Sequence, residues 1–228
     1  MTLYSILRTG GLALAIGMAQ PVLAEPYHAQ VQAGERAYTI GNAEAETQLI
    51  EFVSYTCPHC ATFAREGEPA LQFAYIGSGK LALEIRSYIR NPIDLVATML
   101  AQCGDSDRFV RNHTMLMMSQ GTWLPIAQRA TPAQVARWTL TDKAAARRNI
   151  ASDFGFYEAF ETRGYARPDI DRCLSDDAVA DRLVANTVAD AKEFGVRGTP
   201  SFALDGTLLA RVHDWTALQT ALKDPPTE

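Results

Sequence analysis

The stretch "YTCPHCATF", residues 55–63, places two cysteines in a C-x-x-C spacing, with Pro58 and His59 between them. Such a pair can be a redox-active disulfide, half of a zinc site or a structural staple. The residues that flank the pair, and the partners that the rest of the chain offers, decide among these three.

A strand and a helix are predicted to flank the pair. Residues 47–55, "TQLIEFVSY", form an almost continuous apolar run, which is typical of a strand buried on both faces of a sheet. Residues 58–75, "PHCATFAREGEPALQFAY", are predicted to be helical, with Pro58 in the first turn, where its missing N–H does no harm. The apolar residues available to face inward from this helix are Ala61, Phe63, Ala64, Leu71 and Phe73.

This arrangement favours redox chemistry. Cys57 falls at the helix N-terminus, where free N–H groups and the helix dipole stabilise a thiolate, so we expect an exposed nucleophile with a depressed pKa. A protonated His59 would add to that stabilisation. Cys60, one turn further along the helix, is placed to be the resolving thiol. Because a low pKa at Cys57 stabilises the dithiol form, the disulfide form is expected to be a strong oxidant.

The competing interpretations of the pair fit the sequence poorly. A zinc site usually needs two close pairs of ligands, whereas Cys103 and Cys173 lie far apart and no H-x3-H partner exists, so no metal is predicted. A haem-attachment motif would have histidine directly after the second cysteine, where this chain has Ala61. A structural staple that closes so small a loop gains little stability.

Glu51 interrupts the predicted strand at a position where a doubly buried strand should hold an apolar side chain. Glutamate is rarely buried without a partner, so one interpretation is a surface residue on an edge strand. The functional alternative is a buried carboxyl group with a raised pKa beneath the cysteines, able to relay a proton to or from Cys60.

A second motif lies far downstream, in "GVRGTPSFALDGTLLARV", residues 195–212. Asp205-Gly206 between two apolar segments is a strong signal for a two-residue hairpin. Pro200 at the start of the leading segment is compatible with an ordinary strand-start proline. Together with the upstream C-x-x-C pair it indicates a cis Thr199–Pro200 bond packed against the cysteines. The N–H and C=O of Thr199 would then be open to an extended substrate peptide.

The N-terminus carries the pattern of a secretory signal. A basic residue, an apolar run from Gly10 to Met18 and a small residue at Ala24 predict cleavage after residue 24. The apolar run is too short for a membrane span, which needs about 20 residues. The net charge of −5, without lysine or arginine runs, gives no electrostatic case for binding nucleic acid or an anionic membrane.

These motifs together resemble the thioredoxin fold and, more narrowly, the DsbA-like exported thiol:disulfide oxidoreductases. The resemblance rests on Glu51 in the strand, C-P-H-C opening a helix, and G-x-x-G-T-P leading into a hairpin. It implies an α/β thioredoxin fold with an inserted helical domain. The implied segments are a signal peptide (1–24), a first thioredoxin half (25–90), a helical cap (91–176) and a second thioredoxin half (177–228).

The resemblance also implies roles for individual residues. Cys57 would be the attacked, surface cysteine and Cys60 the buried one. His59 would stabilise the thiolate and Glu51 would relay the proton. The substrate groove would contain Pro200 as its cis-proline, preceded by Thr199 as in isomerase-type relatives, where the best-known strong oxidases have valine.

The inserted segment contains the remaining two cysteines. Its helical patterns include "NPIDLVATMLAQCG" and "TPAQVARWTL", the latter with Thr131 as N-cap. Because an exported protein resides in an oxidising compartment and only Cys103 and Cys173 are left, a second, structural disulfide is predicted, with buried free thiols as the alternative. His113 and His213 stand alone in the sequence and are predicted to be surface or hydrogen-bonded side chains.

Three functions remain open at this point. The leading one is a periplasmic, monomeric oxidase without a cofactor. It would donate the Cys57–Cys60 disulfide to unfolded exported polypeptides with free cysteines and be reoxidised by a DsbB-like, quinone-linked membrane partner. The second is a disulfide isomerase or reductase with the same chemistry; residues 25–37 are too short for the N-terminal dimerisation domain of isomerase relatives, which favours the oxidase. The third is a non-catalytic chaperone or metal-handling module.

Overall fold

A computed structural model describes residues 27–223, so the predicted signal peptide lies outside the described residues. Six strands form one sheet in the order β1-β2-β4-β3-β5-β6. Their bounds are β1 Val31–Ala33, β2 Tyr38–Ile40, β3 Thr47–Val53, β4 Leu81–Ser87, β5 Ser201–Leu204 and β6 Thr207–Leu208. Strands β3 and β4 are parallel, and every other neighbouring pair is antiparallel.

Strand β3 is central in the sheet, and each residue from Leu49 to Val53 is buried. This is the doubly buried strand that its apolar run predicts. The chain crosses from β3 to β4 through three short helical segments: α1 (Pro58–Glu66), α2 (Glu68–Leu71) and a π-helical turn (Gln72–Ile76).

The helix after β3 is therefore not continuous, and the predicted inward position of Phe73 is wrong. The helix breaks at Gly67, where a Cβ atom would collide with the ring of Phe63. The wider π turn that follows changes which residues face the core. Leu71 and Ile76 are fully buried, whereas 91% of Phe73 is exposed.

Eight α-helices follow β4 in the inserted segment. They are α3 Pro92–Ala101, α4 Phe109–Met118, α5 Gln120–Trp123, α6 Pro125–Gln128, α7 Pro132–Trp138, α8 Lys143–Asp153, α9 Phe156–Glu161 and α10 Arg167–Ser175. Thr131 caps α7 in a capping box with Gln134, as its sequence pattern predicts. One hydrophobic cluster joins these helices to the sheet and to α1, so the inserted helices share their core with the thioredoxin part.

The chain then returns to the sheet. Helix α11 (Asp177–Phe194) leads to the β5–β6 hairpin, whose turn residues Asp205 and Gly206 both have positive φ, and α12 (Trp215–Lys223) follows. A mixed sheet with a parallel β3–helix–β4 unit, an inserted helical segment and a final hairpin confirms the predicted fold class. Within residues 27–223, no helix is long and apolar enough to cross a membrane.

Candidate active site

The C-x-x-C pair lies where strand β3 ends and helix α1 begins. Cys57 is the N-cap residue of α1 and Pro58 is its first residue, so Cys57 lies at the helix end that carries free backbone N–H groups. Both cysteines are free thiols in this structure. Cys60 is fully buried, as predicted.

Cys57 is more enclosed than the predicted surface nucleophile, because only 3% of the residue is exposed. The loop before β5 covers it: the Cys57 thiol donates a hydrogen bond to the Thr199 carbonyl, with a sulfur–oxygen distance of 3.1 Å. The Thr199 carbonyl, predicted to be open to substrate, is thus occupied by the active-site thiol itself.

The surroundings of Cys57 lower its pKa to about 4. The largest cause is a hydrogen bond from the Cys60 side chain; the Thr199 hydroxyl and the backbone N–H groups of Cys60 and His59 add to it, and burial opposes them. The depressed pKa agrees with the expectation from the helix N-terminus. His59 contributes through its backbone, whereas its imidazole is exposed, so the role expected of the ring stays a prediction.

Cys60 has the opposite character. Burial raises its pKa well above the ordinary range of a thiol, and its hydrogen bond to Cys57 and the charges of Cys57 and Glu51 act in the same direction. The pair therefore consists of one thiol that readily ionises and one that holds its proton.

Glu51 is fully buried on β3, and neither carboxyl oxygen has a hydrogen-bond partner among the described residues. Burial raises the pKa of Glu51 well above its ordinary value, and the charge of Glu68 raises it further. The edge-strand alternative is thereby excluded, because β3 is central in the sheet. The charge of Glu51 helps to raise the pKa of Cys60, and the proton relay between the two groups stays a prediction.

The Thr199–Pro200 peptide bond is cis. The Thr199 hydroxyl is buried without a hydrogen-bond partner in the described part of the chain, although it acts to lower the Cys57 pKa. A thiolate at Cys57 is the acceptor that this hydroxyl lacks while Cys57 is protonated. The Pro200 carbonyl accepts a hydrogen bond from Nδ1 of His213 at 2.8 Å, so His213 is hydrogen-bonded, as predicted, and steadies the same loop.

Two further residues fix the loop before Cys57, and the sequence analysis missed both. The buried amide of Gln120, on α5, donates to the carbonyls of Tyr55 and Cys57 at 2.8 and 2.9 Å. The buried carboxyl group of Asp94, on α3, accepts from the Ser54 hydroxyl at 2.6 Å and from the Tyr55 N–H at 2.8 Å. Neither residue belongs to a recognisable motif, so no local pattern could have indicated them.

Cys103 and Cys173 form a disulfide with an S–S distance of 2.06 Å, which is the predicted pairing. It connects the segment after α3 with α10 inside the helical insertion. Among residues 27–223 no group of three or more histidine, cysteine, aspartate or glutamate side chains could hold a metal ion.

Comparisons with known proteins place this geometry in a family. The thioredoxin family model matches residues 34–224. A protein of Rickettsia typhi, provisionally named a protein-disulfide oxidoreductase, is 30% identical over 168 residues, covering 73% of this chain and 54% of the relative. The chain thus spans about half the length of the curated relatives it matches.

Two crystal structures extend the comparison. A protein-disulfide isomerase from Novosphingobium aromaticivorans is 42% identical with a TM-score of 0.78, covering 81% of this chain and 94% of that one. Wolbachia pipientis alpha-DsbA1 is 17% identical with a TM-score of 0.65, covering 82% and 89%, a likeness of fold alone. The chain belongs to the thioredoxin family.

Proposed function

We propose that the protein is an exported thiol:disulfide oxidase that donates a Cys57–Cys60 disulfide to exported polypeptides with free cysteines. The observation that carries this proposal is the position of Cys57 at the N-cap of α1, where hydrogen bonds from Cys60 and Thr199 lower its pKa to about 4. At pH 7 such a thiol is almost entirely ionised, which stabilises the reduced protein and makes its disulfide a strong oxidant.

The chemistry follows from the two unlike thiols. A substrate thiolate attacks the Cys57 sulfur of the oxidised protein, a bond forms between those two sulfurs, and the Cys57–Cys60 bond breaks. The electron pair of the broken bond goes to Cys60. Because Cys60 has a high proton affinity, its thiolate takes up a proton, and Glu51 is the proposed donor. The second substrate thiolate then attacks the substrate sulfur of the mixed disulfide and releases Cys57 as a thiolate. The substrate has lost two electrons and the protein has gained them.

The substrate is expected to bind along the Thr199–Pro200 segment. This segment lies against Cys57, and its one carbonyl contact to the thiol would be released when Cys57 joins a mixed disulfide. An extended peptide can pair with such a backbone segment once this contact is released.

Export and reoxidation complete the proposal. The N-terminal signal pattern and the oxidising chemistry both favour the periplasm. A DsbB-like, quinone-linked membrane protein would return the pair to the disulfide by accepting its two electrons. We expect the protein to act as a monomer.

A disulfide isomerase is the second candidate, favoured by one observation: the 42% identical relative carries the name protein-disulfide isomerase. An isomerase uses the same pair in its reduced form to attack wrong disulfides. The two candidates differ in the redox state in which the pair works, not in the residues.

Equilibration of the Cys57–Cys60 pair with glutathione tests the proposal, followed by peptide oxidation and scrambled-ribonuclease refolding with the same preparation. A pair that stays reduced in mildly oxidising glutathione and, once oxidised, rapidly oxidises the peptide supports the oxidase. Strong rescue of scrambled ribonuclease with slow peptide oxidation would identify an isomerase. A pair no more oxidising than glutathione would contradict the oxidase proposal.

A further inference from the structure

The backbone of the active-site loop is held by side chains of the helical insertion. Gln120 is the first residue of α5, and its side-chain amide donates to the carbonyls of Tyr55 and Cys57 at 2.8 and 2.9 Å. Both hydrogens of this amide are thus used on the loop. Only 4% of Gln120 is exposed, so the two bonds form away from solvent. One buried side chain therefore fixes the relative position of residues 55 and 57.

Tyr55 is anchored to the insertion at two further points. Its N–H donates to the carboxyl group of Asp94 on α3 at 2.8 Å, and its hydroxyl oxygen is 2.9 Å from Nδ1 of His113 on α4. His113 is fully buried, so it is the hydrogen-bonded side chain that was one of the two predictions for it. Within the described part of the insertion, the side chain that bonds the backbone of Cys57 itself is that of Gln120.

The backbone of Cys57 is engaged on both sides. Its N–H donates to the Ser54 carbonyl at 3.1 Å, and its carbonyl also accepts from the Ala61 N–H at 3.3 Å, which is the first hydrogen bond of α1. The residue is extended, with φ −98° and ψ 116°. The direction of a carbonyl about its Cα fixes ψ, and together with φ it fixes where the Cα–Cβ bond points relative to the helix. Gln120 therefore acts on the orientation of the Cys57 side chain through the backbone.

That orientation matters because the Cys57 sulfur must face several groups at once. It lies 3.1 Å from the Thr199 carbonyl. The Cys60 side chain, the Thr199 side chain and the backbone N–H groups of Cys60 and His59 lower the pKa of the Cys57 thiol. Hydrogen bonds weaken steeply when distance and angle depart from the optimum. A small rotation of the Cys57 backbone would thus weaken several of these interactions together.

We propose that Gln120 is a positioning residue for disulfide exchange: by holding the Cys57 carbonyl, it orients the Cys57 sulfur towards the donors that stabilise its thiolate. The proposal rests on the exchange reaction proposed above. In that reaction the Cys57 thiolate is both nucleophile and leaving group, so the stability of the thiolate decides how oxidising the pair is. Because α5 belongs to the insertion, the proposal gives the helical insertion a part in the chemistry.

The test begins with Gln120→Met, which removes both donors and keeps a side chain of similar length. The sulfur should then be held less accurately, so the pKa of Cys57, read from thiolate absorbance against pH, should rise by about half a unit or more. The equilibrium constant for oxidation of glutathione by the Cys57–Cys60 disulfide should fall by about threefold or more, because the reduced form loses the same free energy. Gln120→Asn keeps the amide but is too short to reach both carbonyls, and it should move both quantities in the same direction.

Asn112→Leu is the matched control. Asn112, on α4 of the insertion, is also a buried residue whose side-chain amide donates to two backbone carbonyls, those of Ala101 and Cys103, each at 3.3 Å. These carbonyls lie at the end of α3 and just after it, outside the active-site loop. Loss of the Asn112 amide should lower the melting temperature, as loss of the Gln120 amide should, without moving the Cys57 pKa or the glutathione equilibrium.

The outcomes separate a positioning role from a merely structural one. A raised Cys57 pKa in both Gln120 variants, with lowered stability alone in Asn112→Leu, would support the inference. An unmoved Cys57 pKa in folded Gln120→Met or Gln120→Asn would overturn it, and so would an equal shift in Asn112→Leu. A wild-type Cys57 that titrates like a free thiol would instead contradict the proposed function, so the two failures are distinguishable.

Discussion

Thr199→Val isolates one cause of the low Cys57 pKa. The Thr199 hydroxyl is buried, has no hydrogen-bond partner within residues 27–223 while Cys57 is a thiol, and stabilises the thiolate. Valine has nearly the same shape but cannot donate a hydrogen bond. Hydrogen bonds to charged groups contribute about 1.5–3 kcal/mol. Since one pKa unit corresponds to about 1.4 kcal/mol, the pKa of Cys57 should rise by about one to two units.

The same free energy fixes the expected redox change. At pH 7 Cys57 remains a thiolate in the variant, so the reduced protein loses the full free energy of the hydrogen bond from Thr199. The oxidised protein contains no thiolate and is not affected. For a two-electron couple about 30 mV corresponds to 1.4 kcal/mol, so the potential should become more negative by about 30–60 mV. The equilibrium constant for oxidation of glutathione by the Cys57–Cys60 disulfide should fall by about 10–100-fold.

The measurement is thiolate absorbance against pH, together with equilibration in glutathione buffers, for wild type, Thr199→Val and Thr199→Ser. Serine keeps the hydroxyl and serves as the control, so it should stay near the wild type in both assays. Equal shifts in the serine and valine variants would assign the effect to packing. An unchanged pKa, or a more oxidising couple, in Thr199→Val would refute the reasoning about the hydroxyl.

Three other predictions follow from the same structure. His59→Ser should raise the Cys57 pKa by less than Thr199→Val does in the same titration, because solvent screens the exposed imidazole; a larger rise would show that the ring dominates. The pKa of Cys57 is about 4 in the folded protein and about 8.5 in an unfolded chain. Ionisation of Cys57 therefore stabilises the reduced protein, with its full effect above about pH 8.5 and a decreasing effect as the pH falls toward about 4. The melting temperature of the reduced protein should exceed that of the oxidised protein at pH 8, and this difference should decrease on acidification and disappear near pH 4. A difference that increases on acidification would contradict the prediction. Replacing Cys103 and Cys173, which are 70 residues apart, by serine should lower the free energy of unfolding by about 2–4 kcal/mol in urea titrations while peptide oxidation continues; lost activity in folded protein would give the bridge a functional role.

Local sequence patterns predicted the elements whose stabilising contacts lie between neighbouring residues. The apolar run of β3, Pro58 at the start of α1, the capping box at Thr131 and the Asp205-Gly206 turn all have local signatures, because their contacts lie within a few residues. The pairing of Cys103 with Cys173 followed from elimination in an oxidising compartment.

The features that join distant elements became visible in the folded chain and not before. Glu68 meets His113 from another helix, and Gln120 reaches the backbone of the active-site loop across 63 residues of sequence. Side-chain hydrogen bonds of this kind depend on how helices pack, and no local pattern in a single sequence indicates them. The enclosure of Cys57 by Thr199 and the exposure of Phe73 have the same origin, since loop packing and a break at Gly67 decide which atoms reach solvent.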